Sequence, residues 1–183
     1  MIKGFWHIYM INNWRSIILE QLKVLKDSGL YEECMWISIG CLGNFDHREA
    51  LLNIIKPYPR IGIKYHSEDS GEYEFATLRL IEADNDIYTG FYFHTKGVTR
   101  PHDMMQPKER KFLNEIMLNQ WRMHKFIINT GYDISSVNYL SVPNRFSGNY
   151  FWFNRHRLNR LPKLETLDQT DRYNAEKWVY MSK

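Results

Sequence analysis

Over the first hundred residues, short apolar runs rich in strand formers alternate with segments whose apolar residues recur every third or fourth position, as in a βαβ succession. Phe5 to Ile11 reads as a strand. Asn12-Asn13 then serves as turn and cap for a helix whose Trp14, Ile17, Ile18, Leu22 and Leu25 share one face, with Gln21 the polar exception; Ser28-Gly29 closes it. A second strand is expected over Cys34 to Ile39, a loop over Gly40 to Asp46, and a short helix over Arg48 to Ile55 that Lys56-Pro57-Tyr58-Pro59 stops. Arg60 to Tyr65 reads as the third strand. The acidic segment Glu68 to Glu72 suits a loop and helix start, Phe75, Leu78 and Ile81 mark the next helix, and Tyr88 to Phe93 forms the fourth strand.

Pro101 and Pro107 bracket a loop, after which one long helix is expected from about Lys108 to Asn129, closed by Thr130-Gly131. Val137 to Val142 is strand-like, Phe146 to Phe153 is aromatic and glycine-bearing, and Asp171 to Tyr180 reads as a short helix. These elements predict a single α/β domain over 1–183 with a mixed, mostly parallel sheet flanked by helices.

Composition narrows the function. A net charge of +3 with no long Lys/Arg block argues against general binding to a polyanion, so nucleic acid is not an expected partner, although a single-stranded nucleic-acid binder has compatible aromatic content. The two cysteines, Cys34 and Cys41, lack zinc or redox spacing and read as buried thiols. No apolar stretch has the length of a secretory signal or a membrane span, so a cytoplasmic setting is the default expectation, with contact at a membrane surface left open. The seven histidines show no zinc-motif pair, and no Gly-x-Ser-x-Gly elbow supports a hydrolase.

The fourth strand ends in His94-Thr95-Lys96-Gly97, and ligands of open α/β sheets gather at the carboxyl ends of the strands. A His and a Lys there suit an anionic group such as a diphosphate, although strand ends are often polar only because they meet water. Tyr9 and Asn12, at the end of the first strand, are nucleotide-contacting positions by the same argument; a turn alone also accounts for Asn12.

Taken in order, His94-Thr95-Lys96-Gly97, Ser147-Gly148-Asn149-Tyr150-Phe151-Trp152 and Ala175-Glu176-Lys177-Trp178 resemble small GT-A-like glycosyltransferases of polysaccharide biosynthesis. The resemblance implies a GT-A-like (Rossmann-like) fold, with a nucleotide-sugar donor held by residues 1–100 and a glycan or glycolipid acceptor met by residues 101–183. Cleaving the donor develops negative charge on the leaving diphosphate, which Lys96, helped by His94, is placed to stabilise, and His94, Thr95, Lys96 and Gly97 are the expected nucleotide-sugar-binding run. Glu176 is then the candidate general base, with Asp171 as rival; a retaining reaction would need no such base. Gly148, Asn149 and Trp152 suit acceptor recognition, through close backbone approach, amide hydrogen bonds and stacking on a sugar face, with core packing the competing use of the aromatic run. An Asp-x-Asp motif holding Mn2+ or Mg2+ is usual in this fold. Asp84-Asn85-Asp86 has that composition but precedes its strand, where a loop or helix end is the favoured reading, and the metal requirement stays open. A non-catalytic carbohydrate- or nucleotide-binding module of the same fold is the alternative.

Overall fold

The computed structural model describes residues 1–137, 139–140, 145–146 and 148–182. Strand β1 (Ile2–Tyr9) leads through α1 (Trp14–Asp27) and the short α2 (Leu30–Glu33) to β2 (Cys34–Leu42), then through α3 (Phe45–Ile55) to β3 (Ile61–Ser67). The chain returns by a 3-10 turn, Ser70–Glu72, and α4 (Phe75–Ala83) to β4 (Thr89–His94). Next come α5 (Met105–Leu113), a π-helical segment Asn114–Asn119, α6 (Trp121–Asn129) and the short strands β5 (Ile134–Ser135), β6 (Tyr139–Leu140) and β7 (Arg145–Phe146). Strand β8 (Phe151–Asn154), α7 (Arg155–Asn159), a 3-10 turn Leu164–Thr166, α8 (Arg172–Lys177) and a last turn Trp178–Tyr180 complete the order.

The main sheet runs β3-β2-β1-β4-β8-β5. The first four strands in that order are parallel, whereas β8 is antiparallel to both β4 and β5. The mixed α/β architecture expected from the sequence is therefore present. Parallel strands covered on both faces read as continuous apolar runs, and Phe91, Tyr92 and Phe93 in β4 are all buried. One face packs on α1, α3, the π segment and α6 through Trp14, Ile17, Leu51, Met117 and Trp121; the other packs on α4 and α8 through Phe75, Leu78, Ile81 and Ala175. Both cysteines are buried, and desolvation pushes the Cys41 thiol up to about 12.

Several boundaries differ from the expectation. Strand β2 continues through Gly40 to Leu42, and α3 begins at Phe45 because the Asn44 side chain caps it, accepting from the His47 amide at 2.8 Å. Asn13 makes no such cap on α1. The long helix from Lys108 is not one helix. It begins at Met105, with Pro107 in the first turn where a missing amide costs nothing, and it passes through the π-helical segment before Gln120 leaves helical geometry at φ −91°, ψ 31°. The strand expected over Val137 to Val142 includes Asn138, Ser141 and Val142, which lie outside the described residues, as does Ser147 of the glycine-bearing segment.

Candidate functional site

The chain turns outward from β1 to β2 and β3, then crosses back to place β4 on the other side of β1. In such a sheet the carboxyl ends of the two strands at the reversal diverge and leave a crevice. Here that crevice is a cavity of about 430 Å³. His7 and Tyr9 of β1, the His94-Thr95-Lys96-Gly97 run, Glu74, Gly148-Asn149, and Arg172 and Glu176 of α8 line it.

The β1 and β4 ends are tied together. Thr95 Oγ1 accepts from the Tyr9 amide at 3.1 Å, and the Thr95 amide donates to His7 O. Gly97 holds φ at +86°, and a Cβ there would stand 2.7 Å from Gln106 Cβ, so the turn into the Arg100 loop requires glycine. Lys96 Nζ lies on the rim 3.4 Å from Glu109 Oε1, with its side chain 22% exposed. Arg100 and Arg172 add two further cationic side chains to the wall.

His94 does not add a cation. Its Nε2 donates to Gly148 O at 2.8 Å, and desolvation, with Lys96 as the next contributor, lowers its pKa to about 4. It acts as a neutral strut. His7, its register partner on β1, is likewise neutral: desolvation first and His94 second lower it to about 3. Thr77 Oγ1 donates to Gly40 O at 3.1 Å, so His7 Nδ1, 3.0 Å away, is the donor in their hydrogen bond.

Below the cavity, Gln21 explains why α1 carries a polar residue on its buried face. Its Oε1 accepts from Trp6 Nε1 at 3.1 Å and its Nε2 donates to His94 O at 2.9 Å. The π segment turns Asn114 inward to the same cluster, where Nδ2 donates to Glu20 Oε1 at 2.9 Å. Glu20 in turn accepts from Arg110 Nε and Nη2, each at 3.1 Å, and Arg110 Nη1 donates to Lys96 O at 3.0 Å. The loop bearing Lys96 is thereby held from beneath.

Glu176 lines the cavity and faces Arg172 at 3.4 Å. Asp171, the rival carboxylate, is instead the cap of α8, accepting from the Tyr173 amide at 2.9 Å. Trp152 is not placed to stack on a sugar. It is fully buried, donates Nε1 to Met117 O at 2.8 Å and stacks on Phe91 at 4.8 Å, and its neighbours Tyr150, Phe151 and Phe153 are buried with it because helices cover both faces of β8. Asn12 also stands off the cavity wall; its Nδ2 donates to Val98 O at 2.9 Å and braces the loop after β4.

Asp84-Asn85-Asp86 does not fit a metal at this site. It precedes β4 at the amino-terminal ends of β4 and β1, away from the cavity, where both Asp84 oxygens take Lys3 Nζ, at 2.8 and 2.9 Å, and Oδ1 also takes the Asp86 amide. Among the described residues no three His, Cys, Asp or Glu side chains are grouped to hold a metal ion.

Glu74 was not singled out by the sequence. It sits between the 3-10 turn and α4, behind Tyr73, whose φ of +46° is strained for a residue with a side chain. Tyr92 Oη donates to Glu74 Oε2 at 2.8 Å, and Asn149 Nδ2 donates to the same oxygen. The available signal was Tyr92 itself, since a tyrosine in a fully buried strand needs a partner for its hydroxyl.

Together these features define an α/β domain with a polar, cation-bearing cavity at the reversal of its sheet. Neither a protein-family model nor a curated protein sequence matches the chain. No helix among the described residues is long and apolar enough to cross a membrane.

Proposed function

We propose that the protein is a glycosyltransferase that moves a sugar from a nucleotide-sugar donor to a glycan or glycolipid acceptor. One observation carries this reading: residues from three separated segments, Lys96, Asn149 and Glu176, meet in a single cavity at the reversal point of the sheet. Breaking the bond between a sugar and a nucleoside diphosphate develops negative charge on the leaving phosphate, and Lys96, Arg100 and Arg172 supply fixed positive charge where it forms. The cavity volume of about 430 Å³ lies in the range of small-molecule sites. Gly148-Asn149 and α8 line the same cavity and would meet the acceptor there.

A glycolipid acceptor has separate support. Met104, Met105 and Phe112 are exposed at the start and along the outer side of α5, with Lys108 and Lys111 exposed between them, and the Arg100 loop joins this strip to the cavity rim. Apolar and basic side chains in one strip suit the surface of an anionic membrane.

The test is a thermal-shift screen with UDP, GDP, dTDP and CDP and their sugars, with and without Mn2+, on the wild type and Lys96→Ala. A nucleotide-specific rise in Tm that weakens in Lys96→Ala is expected. No rise with any nucleotide removes the reading. A rise without any release of nucleoside diphosphate from the sugar donors would make the protein a binding module of this fold.

A further inference from the structure

We infer that Glu74 is the general base that takes the proton from the attacking hydroxyl of the acceptor; the inference rests on the transferase reading above. Its geometry sets it apart from Glu176. Both hydrogen bonds to Glu74 from described residues, from Tyr92 Oη and Asn149 Nδ2, fall on Oε2, and Oε1 takes none from these residues. The carboxylate is thus fixed through one oxygen, with the other left for a ligand, on the wall of the cavity. Glu176 instead faces the guanidinium of Arg172 at 3.4 Å, an arrangement that orients a cation for the diphosphate.

Asn149 supplies the second observation. A carboxylate oxygen only accepts, so the amide atom facing it is Nδ2, which fixes the orientation of the side chain. Its Oδ1 is then buried with no donor among the described residues, although Asn149 is only 3% exposed. An unmatched buried acceptor is costly, and holding Asn149 with Nδ2 on the Glu74 carboxylate at that cost fixes this carboxylate in one orientation. Holding Asn149 at φ +50° and Tyr73 at φ +46° adds backbone strain on both sides of the same carboxylate.

Electrostatics fits the role. Desolvation pushes the Glu74 carboxyl above its ordinary range, against the lowering effect of the Tyr92 and Asn149 hydrogen bonds and of the Lys96 and Arg172 charges. The groups that face it are Tyr92 from β4, Lys96 and the neutral His94 at the end of that strand, and Arg172 and Glu176 from α8. A base raised in this way pulls harder on a hydroxyl proton than an ordinary carboxylate.

The step balances as a single displacement. The acceptor oxygen bonds to the anomeric carbon while its proton passes to Glu74 Oε1. The bond from that carbon to the β-phosphate oxygen breaks, and its electron pair leaves with the nucleoside diphosphate. Glu74 then returns the proton to solvent, and the anomeric configuration is inverted.

The experiment measures nucleoside diphosphate release from UDP-glucose, UDP-galactose, UDP-N-acetylglucosamine, GDP-mannose and dTDP-rhamnose, with water as acceptor, for the wild type, Glu74→Gln, Glu176→Gln and Tyr92→Phe. Glu74→Gln is expected to lower the rate by about 10² to 10⁴-fold while the thermal shift given by the nucleoside diphosphate is kept. Tyr92 donates to the ionised carboxylate, so Tyr92→Phe should raise the pKa of the base and move the acidic limb of the rate profile to higher pH. Glu74→Gln within threefold of the wild type, or an unmoved acidic limb in Tyr92→Phe, overturns the assignment and leaves the transferase reading standing. A wild type that hydrolyses none of the five donors overturns both.

Discussion

His94 Nε2 donates to the carbonyl oxygen of Gly148 across 2.8 Å, joining the end of β4 to the turn that enters β8. A carbonyl only accepts, so Nε2 carries the proton, and the low pKa of about 4 keeps the ring neutral. The bond positions both the Lys96 loop and Asn149, because each lies within two residues of one of its partners.

Acid should therefore lower the stability of the fold before it titrates most carboxylates. His94 and His7 bind protons near pH 6.5 in the unfolded chain but only near pH 4 and pH 3 when folded. Between those values the unfolded state holds more protons, so stability is complete above about pH 6.5 and falls as pH falls. Glu74, raised on folding, acts with the opposite sign and partly offsets the loss. Urea denaturation at pH 7.0 and pH 5.5 should show a lower midpoint at pH 5.5, and His94→Gln should reduce that difference.

Gly148→Ala should destabilise the protein by about 2 to 4 kcal/mol. The residue holds φ at +86°, and an added Cβ would come within 2.4 Å of Leu113 Cδ1 at the end of α5. Chemical denaturation reads the loss, and a variant as stable as the wild type would show that the turn can be rebuilt without glycine.

Trp152→Ala should cost about 3 to 5 kcal/mol through the cavity left between Phe91 and His124 and the lost hydrogen bond to the Met117 carbonyl. Nucleotide binding by the folded fraction should not change. Loss of binding at full stability would return Trp152 to the list of ligand-contacting residues.

These contrasts show which parts of the molecule were legible in the chain. Strands β1 to β4 and helices α1, α3 and α4 could be read because each is a local apolar period bounded by Gly, Pro or Asn. The break at the π segment could not, since its cause is tertiary: Asn114 turns inward to meet Glu20. At the site, Lys96 and Thr95 were visible because a buried strand delivers them. Glu74 was hidden, because its partners Tyr92 and Asn149 lie 18 and 75 residues away, and no short motif records such a meeting. Trp152 misled for the converse reason: a tryptophan after a glycine reads alike whether it meets a sugar or a core.

Asp84→Asn should lower stability by about 1 to 2 kcal/mol, because Lys3 loses the carboxylate that both its contacts share. Neither this change nor Asp86→Asn should alter a nucleotide thermal shift measured with Mn2+. A shift that disappears in Asp86→Asn would bring the acidic motif back as a ligand set.

The strip on α5 makes the acceptor question testable without knowing the sugar. Met104 is 79% exposed, Met105 62% and Phe112 45%, a large apolar surface for a nine-residue helix. Positions 105, 108 and 112 fall on one side of an α-helix, so Met105, Lys108 and Phe112 can contact a plane together. Burying the apolar side chains in an interface and attracting anionic headgroups to Lys108 and Lys111 act in the same direction. The wild type should co-sediment with phosphatidylglycerol vesicles, bind phosphatidylcholine vesicles weakly, and be released as salt screens the basic residues. Met105→Asp with Phe112→Asp should abolish sedimentation while preserving the nucleotide thermal shift, because both side chains point away from the core. Equal sedimentation of the variant would place the membrane contact elsewhere than this strip, and a wild type that stays in the supernatant would favour a soluble glycan as acceptor.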